Sequence, residues 1–153
     1  MSFYLLVSLD KNLAYKQLVT SSSIYNGAHP PSLVVDGIIE DPPNHCQHFH
    51  SALESTNWLR VDLKEYYYIK FVTVHNKLTH DNQKSRLSNT EIYVFGDTPT
   101  TNRNLCTTII NGVPDEFFLV CNEVLYGKGV ELYQPANGEN RILHICELSI
   151  YGP

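Results

Sequence analysis

The stretch from Asn57 to Phe95 decides the fold, because it contains two strand-like runs separated by a polar loop. The first run reads Asn57-Trp58-Leu59-Arg60-Val61-Asp62-Leu63 and continues as Tyr66-Tyr67-Tyr68-Ile69-Lys70-Phe71-Val72-Thr73-Val74-His75-Asn76-Lys77. After the loop 78–85, the second run reads Arg86-Leu87-Ser88-Asn89-Thr90-Glu91-Ile92-Tyr93-Val94-Phe95. Positions 69–76 are apolar on both faces, which is typical of a strand buried between two sheets. The stretch therefore predicts two fixed strands, and Trp58 at the start of the first is expected in the core.

The loop between these strands has a cation at each end, Lys77 and Arg86. Two fixed strands can hold both side chains in one small pocket at the base of the loop. Cations presented in this way suit a ligand rich in hydroxyl groups or anionic oxygens, because they donate charge-assisted hydrogen bonds. The sequence thus predicts a binding site here.

Short strands separated by turn residues continue through the rest of the chain. Runs at 105–110, 117–121, 130–133 and 142–151 have strand character, and no stretch keeps helical periodicity over three turns. This pattern predicts an all-β domain, either a sandwich or a barrel.

Length and charge limit the classes of protein that the chain can represent. Its 153 residues suffice for one domain with a real core, and hydrophobic residues make up 42% of them. The formal net charge of −5 argues against a nucleic-acid partner, which usually requires a basic face. No apolar run reaches 18 residues, so no membrane-spanning helix is expected. Residues 1–11 are apolar but lack a basic start, and they read either as a trimmed signal segment or as an extension that packs on a domain covering 12–153.

Four cysteines are spread along the chain without any C-x-x-C pair. An even number of widely spaced cysteines suits two disulfides and an oxidising compartment, although four buried thiols in a cytosolic protein are an alternative. The cluster His45, His48 and His50 around Cys46 leaves a zinc site open, but its spacing matches no strong zinc motif.

Several segments, in their order and spacing, resemble the F-type lectins, the fucose-binding lectins of the galactose-binding-like jelly-roll group. The resemblance covers the chain from about Asn12 to Tyr151. It is carried by Val35-Asp36-Gly37, Cys46-Gln47-His48, Trp58-Leu59-Arg60-Val61-Asp62-Leu63, Arg86-Leu87-Ser88-Asn89 with Glu91-Ile92, and Leu143-His144-Ile145-Cys146-Glu147. It implies a jelly-roll β-sandwich, secretion and sugar binding without catalysis.

In that family one His and two Arg bind the sugar, and the resemblance assigns these roles to His48, Lys77 and Arg86. Lys77 replaces the first Arg of the family pattern, and a Lys lacks the planar fork that can bind two adjacent oxygens. The loop 78–85 also lacks the pair of adjacent cysteines whose disulfide packs against the sugar in the family. An apolar wall for the methyl group of fucose is expected in the early loop, with Ile24, Tyr25 and His29 as candidates.

The implied partners are fucosylated glycans or glycoproteins. One such site gives roughly 4–8 kcal/mol of binding free energy, so tight binding requires several sites, for example in a homo-oligomer.

The resemblance also implies a structural calcium ion and a disulfide pairing. The side chains of Asp36 and Glu147, with the carbonyl groups of Leu33, Ile38, His45 and Cys146, are the expected calcium ligands, and hard oxygen donors suit this ion. The family pairing joins Cys46 to Cys146 and Cys106 to Cys121. In the chain-entropy model the first bridge stabilises the fold by about 4–5 kcal/mol and the second by about 3 kcal/mol.

Other functions have less support in the sequence. No nucleophile elbow, phosphate loop or H-E-x-x-H motif is present, which argues against an enzyme. Two alternatives to the lectin stay open: a discoidin-like adhesion domain that binds protein or phospholipid through exposed loop residues, and a lectin scaffold that has lost fucose binding. A site in which His48, Lys77 and Arg86 converge favours the lectin.

Overall fold

Two long antiparallel strands, β3 (Asn57–His75) and β6 (Glu116–Gln134), organise the structure, a computed structural model that describes residues 11–39, 46–77 and 81–153. The two strands pair along most of their length, with register shifts between Asp62 and Tyr67 and between Ile69 and Phe71. The remaining strands are β1 (Leu18–Ser21), β2 (Phe49–His50), β4 (Thr90–Phe95), β5 (Arg103–Ile109), β7 (His144–Ile145) and β8 (Glu147–Tyr151). Two 3-10 turns, Pro31–Val35 and Ser85–Leu87, and one short helix, α1 (Asp81–Lys84), complete the described part.

The sheet divides into two layers because β3 and β6 contribute to both. The first half of β3 lies between β1 and β6, and β6 continues to β4 and β5, which gives the order β1-β3-β6-β4-β5. The second half of β3 pairs with β8 on one side and with β6 on the other. The described part of the chain is therefore an antiparallel β-sandwich, as predicted.

The core fills the space between the layers. Val72 and Val74 of β3, Leu132 of β6 and Ile150 of β8 are fully buried. Burial of each such side chain contributes about 1.5–3 kcal/mol of hydrophobic free energy. Phe71 and Thr73 point to the other face of β3 and are only 4% and 6% exposed, so this strand is covered on both sides as the sequence predicted.

Three local expectations were wrong. The runs 117–121 and 130–133 belong to the single strand β6, because β3 pairs with residues on both sides of the intervening segment. Arg86 lies on the 3-10 turn Ser85–Leu87 and not in strand β4. Trp58 is only partly buried, and its ring packs under the guanidinium of Arg60 at 3.8 Å instead of entering the core.

The structure contains both disulfides that the resemblance implies. Cys46–Cys146 has a Cα–Cα distance of 5.7 Å and spans 100 residues of sequence. Cys106–Cys121 has a Cα–Cα distance of 4.3 Å and spans 15. No helix in the described ranges is long and apolar enough to cross a membrane. Residues 1–10, which make up nearly all of the predicted extension, lie outside the described residues.

Candidate functional site

A cluster of four histidines forms where strand β2 pairs with strand β7. The register of this pair places His50 opposite His144, and His48 precedes β2 by one residue. The early loop reaches the same place, because the Tyr25 N–H donates to the His50 carbonyl at 2.8 Å and the His50 N–H donates to the His29 carbonyl at 3.3 Å. Three separate segments of the chain thus supply imidazole rings to one location.

The imidazole rings are close enough to surround a small ligand. His29 stacks on His48 with ring centroids 4.7 Å apart. His50 lies 5.9 Å from His29 and 6.1 Å from His48 between centroids. His144 lies 6.4 Å from His48 and 6.0 Å from His50. We call these four residues the histidine cluster.

Arg86 joins the histidine cluster through His144. Its Nη1 lies 3.4 Å from the His144 Nδ1. The backbone at this position is fixed, because the buried Gln134 donates from Nε2 to the Arg86 carbonyl at 2.8 Å and Leu87 is fully buried. The 3-10 turn therefore presents a guanidinium group from a rigid base.

Lys77 follows Asn76, a fully buried residue that anchors the end of β3. The Asn76 carboxamide donates to the carbonyls of Gly112 at 2.7 Å and Pro114 at 3.3 Å, and its Oδ1 accepts from the Lys77 N–H at 2.8 Å. Burial first, and then the charge of Arg86, lower the pKa of Lys77. The ammonium and guanidinium groups are thus near enough to repel each other.

Burial and positive neighbours keep the imidazole rings of His48, His50 and His144 neutral at pH 7. Burial first, and then Lys77 and the surrounding imidazoles, lower the pKa of His48 to about 4. Burial first, and then Arg86 and Lys77, lower the pKa of His144 to about 3. The pKa of His50 is lowered as well, chiefly by burial. Each neutral ring then offers one N–H donor and one nitrogen acceptor, while the cations offer donors only.

Two ring nitrogens of the histidine cluster have no hydrogen-bond partner among the described residues. They are the buried Nε2 atoms of His48 and His144. The other two rings are oriented by backbone contacts, since the His50 Nδ1 lies 2.7 Å from the Ser51 carbonyl and the His29 Nδ1 lies 3.2 Å from the His48 carbonyl. Buried polar atoms are rarely left without a partner, so a ligand hydroxyl is a natural complement.

The three residues that were predicted to form the apolar wall of the sugar site have different surroundings in the structure. The ring of Tyr25 lies 5.0 Å from that of His50 and is 51% exposed, at the rim of the histidine cluster. His29 packs against His48 and is part of the cluster itself. Ile24, the third predicted wall residue, is 42% exposed.

Sequence reasoning gave no sugar-binding role to His50 or His144, and it considered His50 only as a candidate zinc ligand. Their pairing joins segments that are far apart in the chain, and a single sequence does not reveal that register. The sequence offered two signals for these residues. His48 and His50 alternate along the chain, and His144 lies in the closing Leu-His-x-Cys-Glu segment.

The two carboxylates of the expected calcium site come together in the structure. Glu147 is 2% exposed, and its Oε1 accepts from the Gly37 N–H at 2.9 Å. Its Oε2 is buried and has no hydrogen-bond partner in the part of the chain that the structure describes. Burial, reinforced by Asp36, raises the pKa of Glu147 to about 8. An unpartnered carboxylate oxygen beside a second carboxylate fits a hard cation such as calcium.

The rest of the expected ligand set is less well defined. His45 lies outside the described residues. Leu33 is partly buried in the turn that precedes Asp36, and the Ile38 N–H donates to the Asp36 Oδ1 at 2.8 Å. Cys146 directly precedes Glu147 and is held by its disulfide. Within the described ranges no three His, Cys, Asp or Glu side chains are grouped to hold a metal ion. Cys46, which the zinc alternative would need as a thiolate, is bonded to Cys146.

Solved structures with the same fold bind sugars. A fucose binding module of Streptococcus pneumoniae matches with a TM-score of 0.77 and 19% identity, over 99% of this chain and 100% of that one. Chitosan-binding module 1 of a chitosanase/glucanase from Paenibacillus sp. IK-5 matches with a TM-score of 0.73 and 22% identity, over 93% and 99%. A fucolectin from the serum of the striped bass, Morone saxatilis, matches with a TM-score of 0.71 and 26% identity, over 94% of this chain and 48% of that one.

These likenesses confirm the fold that the resemblance to the F-type lectins implied. The chain has the β-sandwich of sugar-binding modules, and it spans about half the length of the striped bass protein. No family model matches the chain, and no curated protein matches it in sequence.

Proposed function

We propose that this protein is a non-catalytic lectin that binds terminal fucose or a related sugar through His48, Lys77 and Arg86. The observation that carries the proposal is a pair of buried ring nitrogens, on His48 and His144, that have no hydrogen-bond partner among the described residues. The Arg86 guanidinium contacts His144, and the charges of Arg86 and Lys77 both lower the pKa of His144. The fucose binding module and the fucolectin with the same fold support this choice of sugar.

The chemistry of the site suits a neutral sugar with several hydroxyl groups. Arg86 can donate to two vicinal oxygens from its planar fork, whereas Lys77 acts as a single charged donor. The neutral ring of His48 accepts from a hydroxyl group or donates to one, depending on its tautomer. The ring of Tyr25, with His29 behind it, provides an apolar surface for the methyl group of fucose.

The protein is further proposed to bind calcium near Asp36 and Glu147. Calcium would neutralise the buried carboxylate and hold the turn that follows the 3-10 segment Pro31–Val35 against β8. The ion is a structural component here and takes no part in sugar contact.

We further propose that the protein is secreted and that it binds glycoproteins. Two disulfides are typical of proteins from oxidising compartments, which supports an extracellular location. A single shallow site of this kind binds with roughly mM to µM affinity, so homo-oligomers or clustered glycans would supply avidity.

A discoidin-like adhesion domain is the second candidate, because several apolar side chains are exposed on loops. Ile110 follows β5 and is 75% exposed, and Leu53 follows β2 and is 61% exposed. Such residues can insert into a lipid surface. Binding to phosphatidylserine vesicles that is lost on Ile110→Ser, without any glycan binding, would favour this candidate.

A glycan array with and without a calcium chelator tests the lectin proposal. We expect fucosylated glycans to give the strongest signals, and we expect His48→Ala and Arg86→Ala each to abolish them with little change in melting temperature. Lys128→Ala is the matched control, because Lys128 is a partly exposed cation 3.9 Å from Asp97 with no contact to the histidine cluster. An array on which no fucosylated glycan exceeds background would refute the function and leave the fold intact.

A further inference from the structure

Exposed asparagines precede glycine at three places in the chain, which are Asn26-Gly27, Asn111-Gly112 and Asn137-Gly138. In each pair the Asn Oδ1 accepts from the backbone N–H two residues further on, and the N–O distances in chain order are 3.3, 3.1 and 3.1 Å. Such a turn folds the carboxamide over the glycine nitrogen that lies between the two bonded groups. The three pairs therefore share the same local hydrogen bond, and their surroundings distinguish them.

An Asn-Gly pair has the groups needed to modify itself. The glycine nitrogen gives up its proton to solvent and attacks the Asn Cγ, the bond from Cγ to the amide nitrogen breaks, and ammonia leaves after taking up a proton. Water then opens the resulting succinimide ring at either carbonyl and leaves an aspartate or an isoaspartate. Glycine favours the ring closure because it has no Cβ to obstruct the approach. The reaction still requires a glycine nitrogen that can leave its place in the fold.

The fold holds Gly112 on every side. Its N–H donates to the Ser88 Oγ at 2.8 Å, and its carbonyl accepts from the buried Asn76 carboxamide at 2.7 Å. The residue is buried, and a Cβ atom built on it would lie only 2.8 Å from the backbone carbon of Leu87. Ring closure at Asn111 must therefore break a hydrogen bond and move packed backbone.

Gly27 and Gly138 have open surroundings. Both are exposed, and a Cβ atom built on either would meet no atom within 4 Å. Neither N–H donates a hydrogen bond within the described ranges of the chain. Their φ angles of +74° and +90° lie in the left-handed region, so glycine is the residue that these turns favour. Nothing of the kind that holds Gly112 opposes ring closure at these two glycines.

We propose that Asn26 and Asn137 are sites of spontaneous deamidation in the folded protein, whereas the fold protects Asn111. Asn26 lies in the turn between Tyr25, whose ring packs against His50, and His29 of the histidine cluster. Conversion of Asn26 adds one negative charge to this turn, and the isoaspartate product also adds one carbon to its backbone. Neither change requires that the histidine cluster binds sugar.

Peptide mapping of the aged protein tests this proposal. Cleavage by trypsin after Lys and Arg places the three pairs in separate peptides, 17–60, 104–128 and 129–141. The full chain is incubated in neutral buffer, samples are reduced and digested at intervals, and fragment-ion spectra locate each converted Asn. We expect Asn26 and Asn137 to convert at least about tenfold faster than Asn111, because the hydrogen bond at Gly112 and the packing around it both slow ring closure.

The same chain, reduced and unfolded in urea, is the control for the effect of the fold. There the three pairs should convert at similar rates, because the contacts of Gly112 are lost. Equal rates at the three pairs in the folded protein would overturn the proposal. So would an Asn26 that stays intact in the folded protein while it converts in the unfolded chain.

A variant of Ser88 tests the cause of the protection. Ser88→Ala removes the acceptor for the Gly112 N–H and should accelerate conversion of Asn111 about fivefold, with Asn26 unchanged. Ser32→Ala is the matched control, because Ser32 is exposed in the turn Pro31–Val35 and has no contact with Gly112. Circular dichroism verifies that each variant is folded. An unchanged rate at Asn111 in folded Ser88→Ala would overturn the role of this hydrogen bond.

Discussion

At the scale of single residues, Lys77 is the position where the chain departs from the family pattern that it resembles. Replacing it with Arg adds a second donor directed at the same ligand, because the guanidinium binds two adjacent oxygens and the ammonium group only one. We expect Lys77→Arg to tighten fucose binding by roughly fivefold to tenfold, which corresponds to the net free energy of one typical hydrogen bond. Titration calorimetry measures the change, with Lys128→Arg as the control. Unchanged affinity would mean that Lys77 does not reach the sugar.

His48 makes the stability of the fold depend on pH. Its folded-state pKa of about 4 lies below the ordinary value of 6.5, so the folded protein favours the neutral ring. The stabilising contribution of neutral His48 is therefore complete above pH 6.5 and is lost as the pH falls toward 4. We expect His48→Gln, which cannot be protonated, to lose less stability than the parent over this interval. Urea denaturation at several pH values measures the difference, and parallel curves for the two proteins would contradict it.

Lys77, His29 and His50 act on the pKa of His48, and all three remain in the variant. Because His48 in turn lowers the pKa of His144, the difference between the two proteins reports the titration of His48 together with its effect on His144.

At the scale of the secondary-structure elements, strand β6 approaches strand β4 closely at Gly129. A Cβ atom on Gly129 would lie 2.0 Å from Cζ of Phe95, a ring that is only 5% exposed. Since the ring is buried, Gly129→Ala must displace it or the strand. We expect a loss of about 1–3 kcal/mol in the free energy of unfolding, measured by urea denaturation. Lys128→Ala, one residue earlier in β6, should stay near the parent, and an equally stable Gly129→Ala protein would refute the contact.

The sequence predicted these strands better than it predicted their connections. The buried run of β3 is visible because Val72 and Val74 alternate with Phe71 and Thr73 on a strand that is covered on both sides. The continuity of β6 was not visible, because residues 122–129 include two glycines and several polar residues that read as a turn. Pairing with β3 keeps this segment extended, and such pairing is a property of the folded chain.

The same limit applies to the candidate site. The resemblance identified His48, Lys77 and Arg86 through motifs that survive in the linear sequence. His50 and His144 join them only because β2 pairs with β7. Tertiary contacts of this kind carry no local signal in the sequence. His50 and His144, half of the histidine cluster, were therefore recognised as part of the site only in the structure.

At the scale of the whole molecule, one disulfide links the two candidate sites. Cys46 lies two residues before His48, and its partner Cys146 directly precedes Glu147. The bridge therefore fixes the segment that presents the His48 imidazole against the strand that presents the Glu147 carboxylate. Stabilisation at the proposed calcium site would reach the histidine cluster through this covalent link.

Calcium binding at the proposed site depends on the carboxylate of Glu147. In the metal-free protein this buried carboxylate has a pKa of about 8 and favours its protonated form, so its charge is a cost that calcium would remove. We expect calcium at about a hundredfold above its Kd to stabilise the parent by roughly 2.7 kcal/mol, and a chelator to reverse the effect. Glu147→Gln keeps an acceptor for the Gly37 N–H, so it should be as stable as the metal-free parent but show no response to calcium. Differential scanning calorimetry measures both proteins with calcium and with chelator. A calcium response that survives in Glu147→Gln would show that the ion binds elsewhere.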